Sequence, residues 1–118
     1  MKKRVVITGL GAITPIGKTA NETWNGIKNK ECGVDEIKLF NAENFKTKFD
    51  AEVKDFNPLD YLDMKQAKRL DRSSQFAIIA GREALKDSGI TTENTDFNNV
   101  GVLDWNYTGL CLYSGTWY

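Results

Sequence analysis

The sequence predicts an α/β fold with a mostly parallel sheet and packed helices, and three features of the 118-residue chain predict it. The run Val5-Val6-Ile7-Thr8 is apolar or β-branched throughout and is closed by Gly9, the signature of a strand buried on both faces. A second short run of the same kind, Val100-Gly101-Val102-Leu103, lies near the other end. Between them stand two helical patterns, residues 19–30 and 63–87.

Each element has its own warrant. After the first strand, Gly9-Leu10-Gly11, Pro15 and Gly17 mark a turn region, longer than the tightest strand-to-helix connection. Thr19-Ala20-Asn21-Glu22 then has the form of a capping box, so a helix starts there. Trp24 and Ile27 give it a partly apolar face through Lys30, and Cys32-Gly33 is expected to end it. From residue 34 to 57 the pattern loosens into short strands and loop, with residues 49–54 read as an edge strand. Asn57-Pro58 is a turn signal. One long helix is expected from Asp63 to Asp87, capped by Ser88-Gly89, with Ser73, Ala77, Ala80, Gly81 and Ala84 as a small-residue stripe that lets another element approach closely.

Composition narrows the function. Hydrophobic residues at 41% and charged residues at 27% are ordinary for a globular domain, and sixteen basic against sixteen acidic side chains leave no global pull toward nucleic acid or an anionic membrane. No stretch approaches the ~20 apolar residues of a spanning helix. The start MKKRVVITGL has too short an apolar run for a signal peptide, so a cytoplasmic location is expected. Cys32 and Cys111 form neither a metal-ligand pair nor a disulfide framework, and there is no histidine. No cofactor and no metal is expected.

Two motifs invite a functional reading. Gly9-Leu10-Gly11-Ala12-Ile13-Thr14 follows a strand in the manner of a dinucleotide fingerprint, but Thr14 takes the third glycine position, Pro15 follows, and the helix signal arrives only at Thr19. The glycines therefore read as serving a turn and close packing, with nucleotide binding as the weakest rival. Lys65, Lys68 and Arg69 sit at helical spacing and make one positive patch, at a helix start where cations oppose the macrodipole. Charge patterning alone favours an ordinary solvated face with Asp63 and Asp71 nearby.

The stretches RVVITGLGAITPIG, the W-x-x-I helix followed by Cys-Gly-Val, and KQAKRLDRSSQFAIIAGREALKDSGI together resemble the N-terminal part of the β-ketoacyl-acyl carrier protein synthases, the elongating condensing enzymes of bacterial fatty acid synthesis. The resemblance covers residues 3–103 and implies a thiolase-like half, here incomplete. It implies a family reaction in which a cysteine accepts the acyl chain as a thioester, and two histidines assist decarboxylation of malonyl-carrier protein and stabilise the oxyanion. It implies acyl carrier protein as partner, docked by its acidic helix on residues resembling Lys65, Lys68 and Arg69, and a homodimer in the full-length family. Neither Cys32 nor Cys111 matches the family's nucleophile, and with no histidine present no catalytic residue is assigned.

Beyond Leu103 the resemblance stops. Asp104–Tyr118 concentrates two of the three tryptophans and three of the four tyrosines, and reads Asp104-Trp105-Asn106 where the family continues in the manner of Ile-Gly-Thr. One inserted G before such codons encodes Asp-Trp-Asn, so the expected organisation is residues 1–103 as part of a synthase domain and 104–118 as an out-of-frame aromatic tail, either packed on the domain or exposed and prone to association. The expected function is that of a truncated synthase, inactive alone. The rival is a non-catalytic module that docks carrier protein.

Overall fold

The computed structural model describes residues 4–96, 99–106 and 109–113. In chain order it holds helix α1 (Ala20–Lys28), strands β1 (Asp35–Glu36) and β2 (Phe49–Asp50), a 3₁₀ turn (Pro58–Asp60), helices α2 (Met64–Arg69) and α3 (Arg72–Ser88), and strands β3 (Val102–Asn106) and β4 (Gly109–Tyr113).

The organising contact joins the N-terminal segment to α3. A Cβ added at Gly9 would come within 3 Å of Ala84 and Ser88 backbone or side-chain atoms, and one at Gly11 within 3 Å of Ala80 and Ala84 backbone. These glycines serve close approach, since among the described glycines only Gly89 has positive φ. Ala80 and Ala84 of the small-residue stripe thus do what small residues allow, whereas Gly81 of the same stripe faces open space. Two α3 carboxylates hold the segment down. Asp87 Oδ2 accepts from the Leu10 N–H at 2.9 Å, and Glu83 Oε2 accepts from Ala12 N–H at 2.9 Å. Glu83 Oε1 also takes the Ala20 N–H at 3.0 Å, so one side chain fixes both the glycine segment and the first residue of α1.

Between these points Thr14-Pro15-Ile16-Gly17 closes a tight turn, with Thr14 N–H donating to Gly17 O at 2.7 Å. Thr19 caps α1 as its sequence suggests, its hydroxyl accepting from Glu22 N–H at 3.1 Å, while Glu22 reaches back to the Lys18 N–H at 2.8 Å. The end of α1 comes earlier than Cys32-Gly33. Asn29 is its C-cap and Lys30 takes the left-handed conformation at φ 59°, with Glu31 N–H bonding Gly26 O at 2.9 Å. Lysine here fills the position glycine usually takes in this cap, so no glycine marked it.

The long helix expected over 63–87 is two helices. Leu70 is extended and Asp71 turns the chain to start α3, its carboxylate accepting from Ser74 N–H at 3.1 Å and Ser73 hydroxyl at 2.7 Å. An aspartate that caps a backbone N–H three residues on is a helix start signal in its own right, and here it starts a new helix within the expected span. Gly89, at φ 68°, ends α3 as expected.

The first turns of α3 carry the 53–61 segment. Phe56 meets Phe76 edge-on at 4.8 Å and stacks on Tyr61 at 5.9 Å. Arg72 lies over both phenylalanine rings, at 5.3 and 5.1 Å, and donates to Val53 O at 2.7 Å. Leu62 and Ile79 are the buried apolar residues among those described.

The sheet differs from expectation. The described strands pair antiparallel, Asp35 opposite Asp50 in one ladder and Val102 opposite Tyr113 in the other. Residues 5–8 join no ladder among the described residues, and Val5, Val6 and Ile7 are 94%, 74% and 83% exposed, so the expected burial on both faces is not met. Parallel partners arrive through crossovers of a dozen or more residues, whereas hairpins form from neighbours, and here the neighbours have paired. The accessible surface of 9940 Å² reflects this, against about 6,500 Å² for a compact chain of this mass. The expected strand at 100–103 appears as β3, two residues later, and its hairpin with β4 crosses Leu103. Whether the tail's aromatic side chains pack or stand exposed lies outside the described residues, as does the Cys111 side chain.

Candidate functional site

The three cations singled out above stand on α2. Asp63 is its N-cap, accepting from Gln66 N–H at 2.8 Å, and Lys65, Lys68 and Arg69 are all exposed on its six residues. The two acids that could neutralise them do other work. Asp63 caps α2 and Asp71 caps α3, where the Ser74 and Ser73 groups that donate to it hold its carboxyl below the usual carboxylate range. Among the described residues the ion pairs are Lys54–Asp35 at 2.7 Å and Lys38–Asp35 at 3.3 Å, and none involves α2. The three cations therefore make no direct salt bridge among the described residues, while the charged Asp63 and Asp71 carboxylates stand at either end of α2.

One residue bearing on this patch was not legible as such. Gln75, the last of the polar residues 71–75 that open α3, is 7% exposed, and its Nε2 donates to Ala67 O at 3.0 Å and Leu70 O at 3.1 Å. Nothing in the sequence sets it apart from the polar residues 71–74 that precede it. Glu83 and Asp87 were also missed, although two carboxylates four residues apart on one helix share a face.

The remaining candidates do not assemble a reaction centre among the described residues. Cys32 is exposed, at an open cleft of about 400 Å³ that Lys18, Glu22, Glu31 and Lys54 also line. The glycine segment offers no phosphate cradle, because the N–H groups of Leu10, Ala12 and Ala20 already bond carboxylates of α3. No helix among the described residues is long and apolar enough to cross a membrane.

A glycine-containing segment seated on α3, with a short cationic helix leading into α3, defines an α/β scaffold with a charged surface. Comparison with known proteins gives that class its family. The β-ketoacyl synthase N-terminal domain matches residues 2–109, a span that runs past Leu103. The 3-oxoacyl-[acyl-carrier-protein] synthase 2 of Synechocystis sp. is 43% identical over 102 residues, 86% of this chain and 24% of that enzyme. Its namesake from Staphylococcus aureus (strain N315) is 39% identical over 108 residues, 92% of this chain and 26% of the relative. Among solved structures, the ishigamide ketosynthase/chain length factor aligns with a TM-score of 0.68 and 31% identity, over 80% of this chain and 23% of its own. The chain belongs to the β-ketoacyl synthase family, through its N-terminal domain. It spans about a quarter of the length of the relatives it matches.

Proposed function

We propose that this chain is the N-terminal segment of a β-ketoacyl-acyl carrier protein synthase of fatty acid synthesis, and that its own contribution is scaffold and carrier-protein docking, with no step of the condensation. The observation that carries the docking reading is the cluster Lys65, Lys68 and Arg69, exposed together while Asp63 and Asp71 are engaged as helix caps. Positive charge without an internal partner steers an acidic protein and fixes its register. A solvated face would show the same exposure, and it is membership of the β-ketoacyl synthase family that favours docking over it.

Inactivity of the isolated chain rests on chemistry. Decarboxylative condensation needs a thiolate to take the acyl group and donors that stabilise the enolate oxygen. The sequence has no histidine, and Cys32 is exposed, with no hydrogen bond to its sulfur among the described residues. In a polypeptide of synthase length, residues 5–8 become one strand of a mostly parallel sheet, a placement that the open Val5, Val6 and Ile7 support. The working compartment is read as cytoplasmic. Residues 1–103 are read as synthase sequence and 104–118 as an out-of-frame tail, which the codons following Leu103 decide.

Fluorescence titration of labelled acyl carrier protein tests the docking reading. The triple variant K65E/K68E/R69E is expected to bind about tenfold or more weakly than wild type, and wild-type affinity to fall as salt rises. Equal, salt-insensitive binding by both overturns docking. Release of carbon dioxide from malonyl carrier protein by the purified chain, above a protein-free control, overturns inactivity.

A further inference from the structure

The helix that carries the cations is poorly anchored by its own side chains. α2 is six residues long and none of them is buried. So short a helix does not persist on propensity, and its direction must be set from outside. At its entrance Leu62, 5% exposed, and the Asp63 cap hold the chain. At its exit the only buried polar side chain among the described residues, Gln75, takes over.

Gln75 lies in the first turn of α3 and sends its amide nitrogen back to Ala67 O and Leu70 O, at 3.0 and 3.1 Å. These belong to the carbonyls that a helix leaves open at its C-terminal end. Both amide protons are thus committed to the end of α2, and a carboxamide is suited to this because it offers two donors on one atom. Lys68 and Arg69 lie between the two bonded carbonyls, and Lys65 one turn before them.

We propose that Gln75 is a positioning residue for carrier-protein docking: by tying Ala67 O and Leu70 O to α3 it sets the direction in which Lys65, Lys68 and Arg69 project, and so controls affinity without touching the partner. The inference rests on the docking reading above, and its test separates the two.

Gln75→Met keeps length and approximate volume while removing both donors. In the full chain, carrier-protein affinity is expected to fall about three- to tenfold, with a shallower salt dependence as the cations engage less well. Amide hydrogen exchange over residues 64–70 is expected to quicken about tenfold while exchange over 76–86 stays at its wild-type rate. If Q75M binds with wild-type affinity and salt slope while K65E/K68E/R69E loses binding, the role of Gln75 is refuted and docking stands. If the charge reversal changes nothing, docking fails, and with it the proposal, whatever the exchange over 64–70 shows. If protection over 76–86 collapses together with 64–70, Gln75 is a general core residue and the positioning role is likewise refuted.

Discussion

Replacing Glu83 by glutamine probes the contact on which the N-terminal third depends. The carboxylate accepts from Ala12 N–H at 2.9 Å through Oε2 and from Ala20 N–H at 3.0 Å through Oε1. Glutamine has the same length but one acceptor oxygen, and its amide nitrogen would face an N–H donor. Two charge-assisted bonds of about 1.5–3 kcal/mol each become at most one neutral bond of about 1 kcal/mol, and discounting for the half-exposed site leaves a loss of about 2 kcal/mol. With a urea slope near 1.5 kcal/mol per molar, roughly that of a small domain, the midpoint followed by circular dichroism at 222 nm should fall by about 1 M. Amide exchange at Ala12 and Ala20 should quicken more than at Ile79. A midpoint within about 0.3 M of wild type at unchanged slope would refute the claim that Glu83 anchors this segment.

Two further outcomes follow from the same geometry. Gly11→Val places a branched side chain against the backbone of Ala80 and Ala84, and should cost more than about 3 kcal/mol or abolish the cooperative melt, whereas Gly81→Ala, which meets open space, should stabilise α3 by about 0.5–1 kcal/mol; equal effects at the two sites would contradict the packing. Asp71 is depressed by its bonds from Ser74 and Ser73, so the stability it contributes is present above its unfolded pKa of about 4 and is lost as the pH falls through its lower folded value. Helicity at 222 nm should therefore decline below about pH 4, less so in D71N, which keeps the cap without the titration; identical acid profiles would count against it.

Local chemistry was legible in the sequence and long-range pairing was not. Thr19 and Glu22 announced α1, Gly89 announced the end of α3, and the three cations of α2 were visible from spacing alone. The break at Asp71 was hidden because the segments on both sides are helical, and they outweighed a capping signal that was present. The end of α1 was misplaced because Lys30 adopts a conformation that side chains ordinarily avoid. Burial of residues 5–8 could not be read from their own side chains, since a strand is buried only by what lies beside it. Glu83, Asp87 and Gln75 make bonds whose partners no periodicity names, and the two carboxylates reach 63 to 77 residues back along the chain.

That distance has a meaning in time. A ribosome adds roughly 5–20 residues per second, so roughly 3–15 s separate the appearance of Leu10, Ala12 and Ala20 from that of the carboxylates that receive their N–H groups. Throughout that interval Val5, Val6 and Ile7 are present without the helix that later lies alongside the neighbouring glycines. The N-terminal segment is thus unanchored while residues 20–87 are being made, and a pause placed within that stretch prolongs that state, whereas the same pause after Asp87 does not.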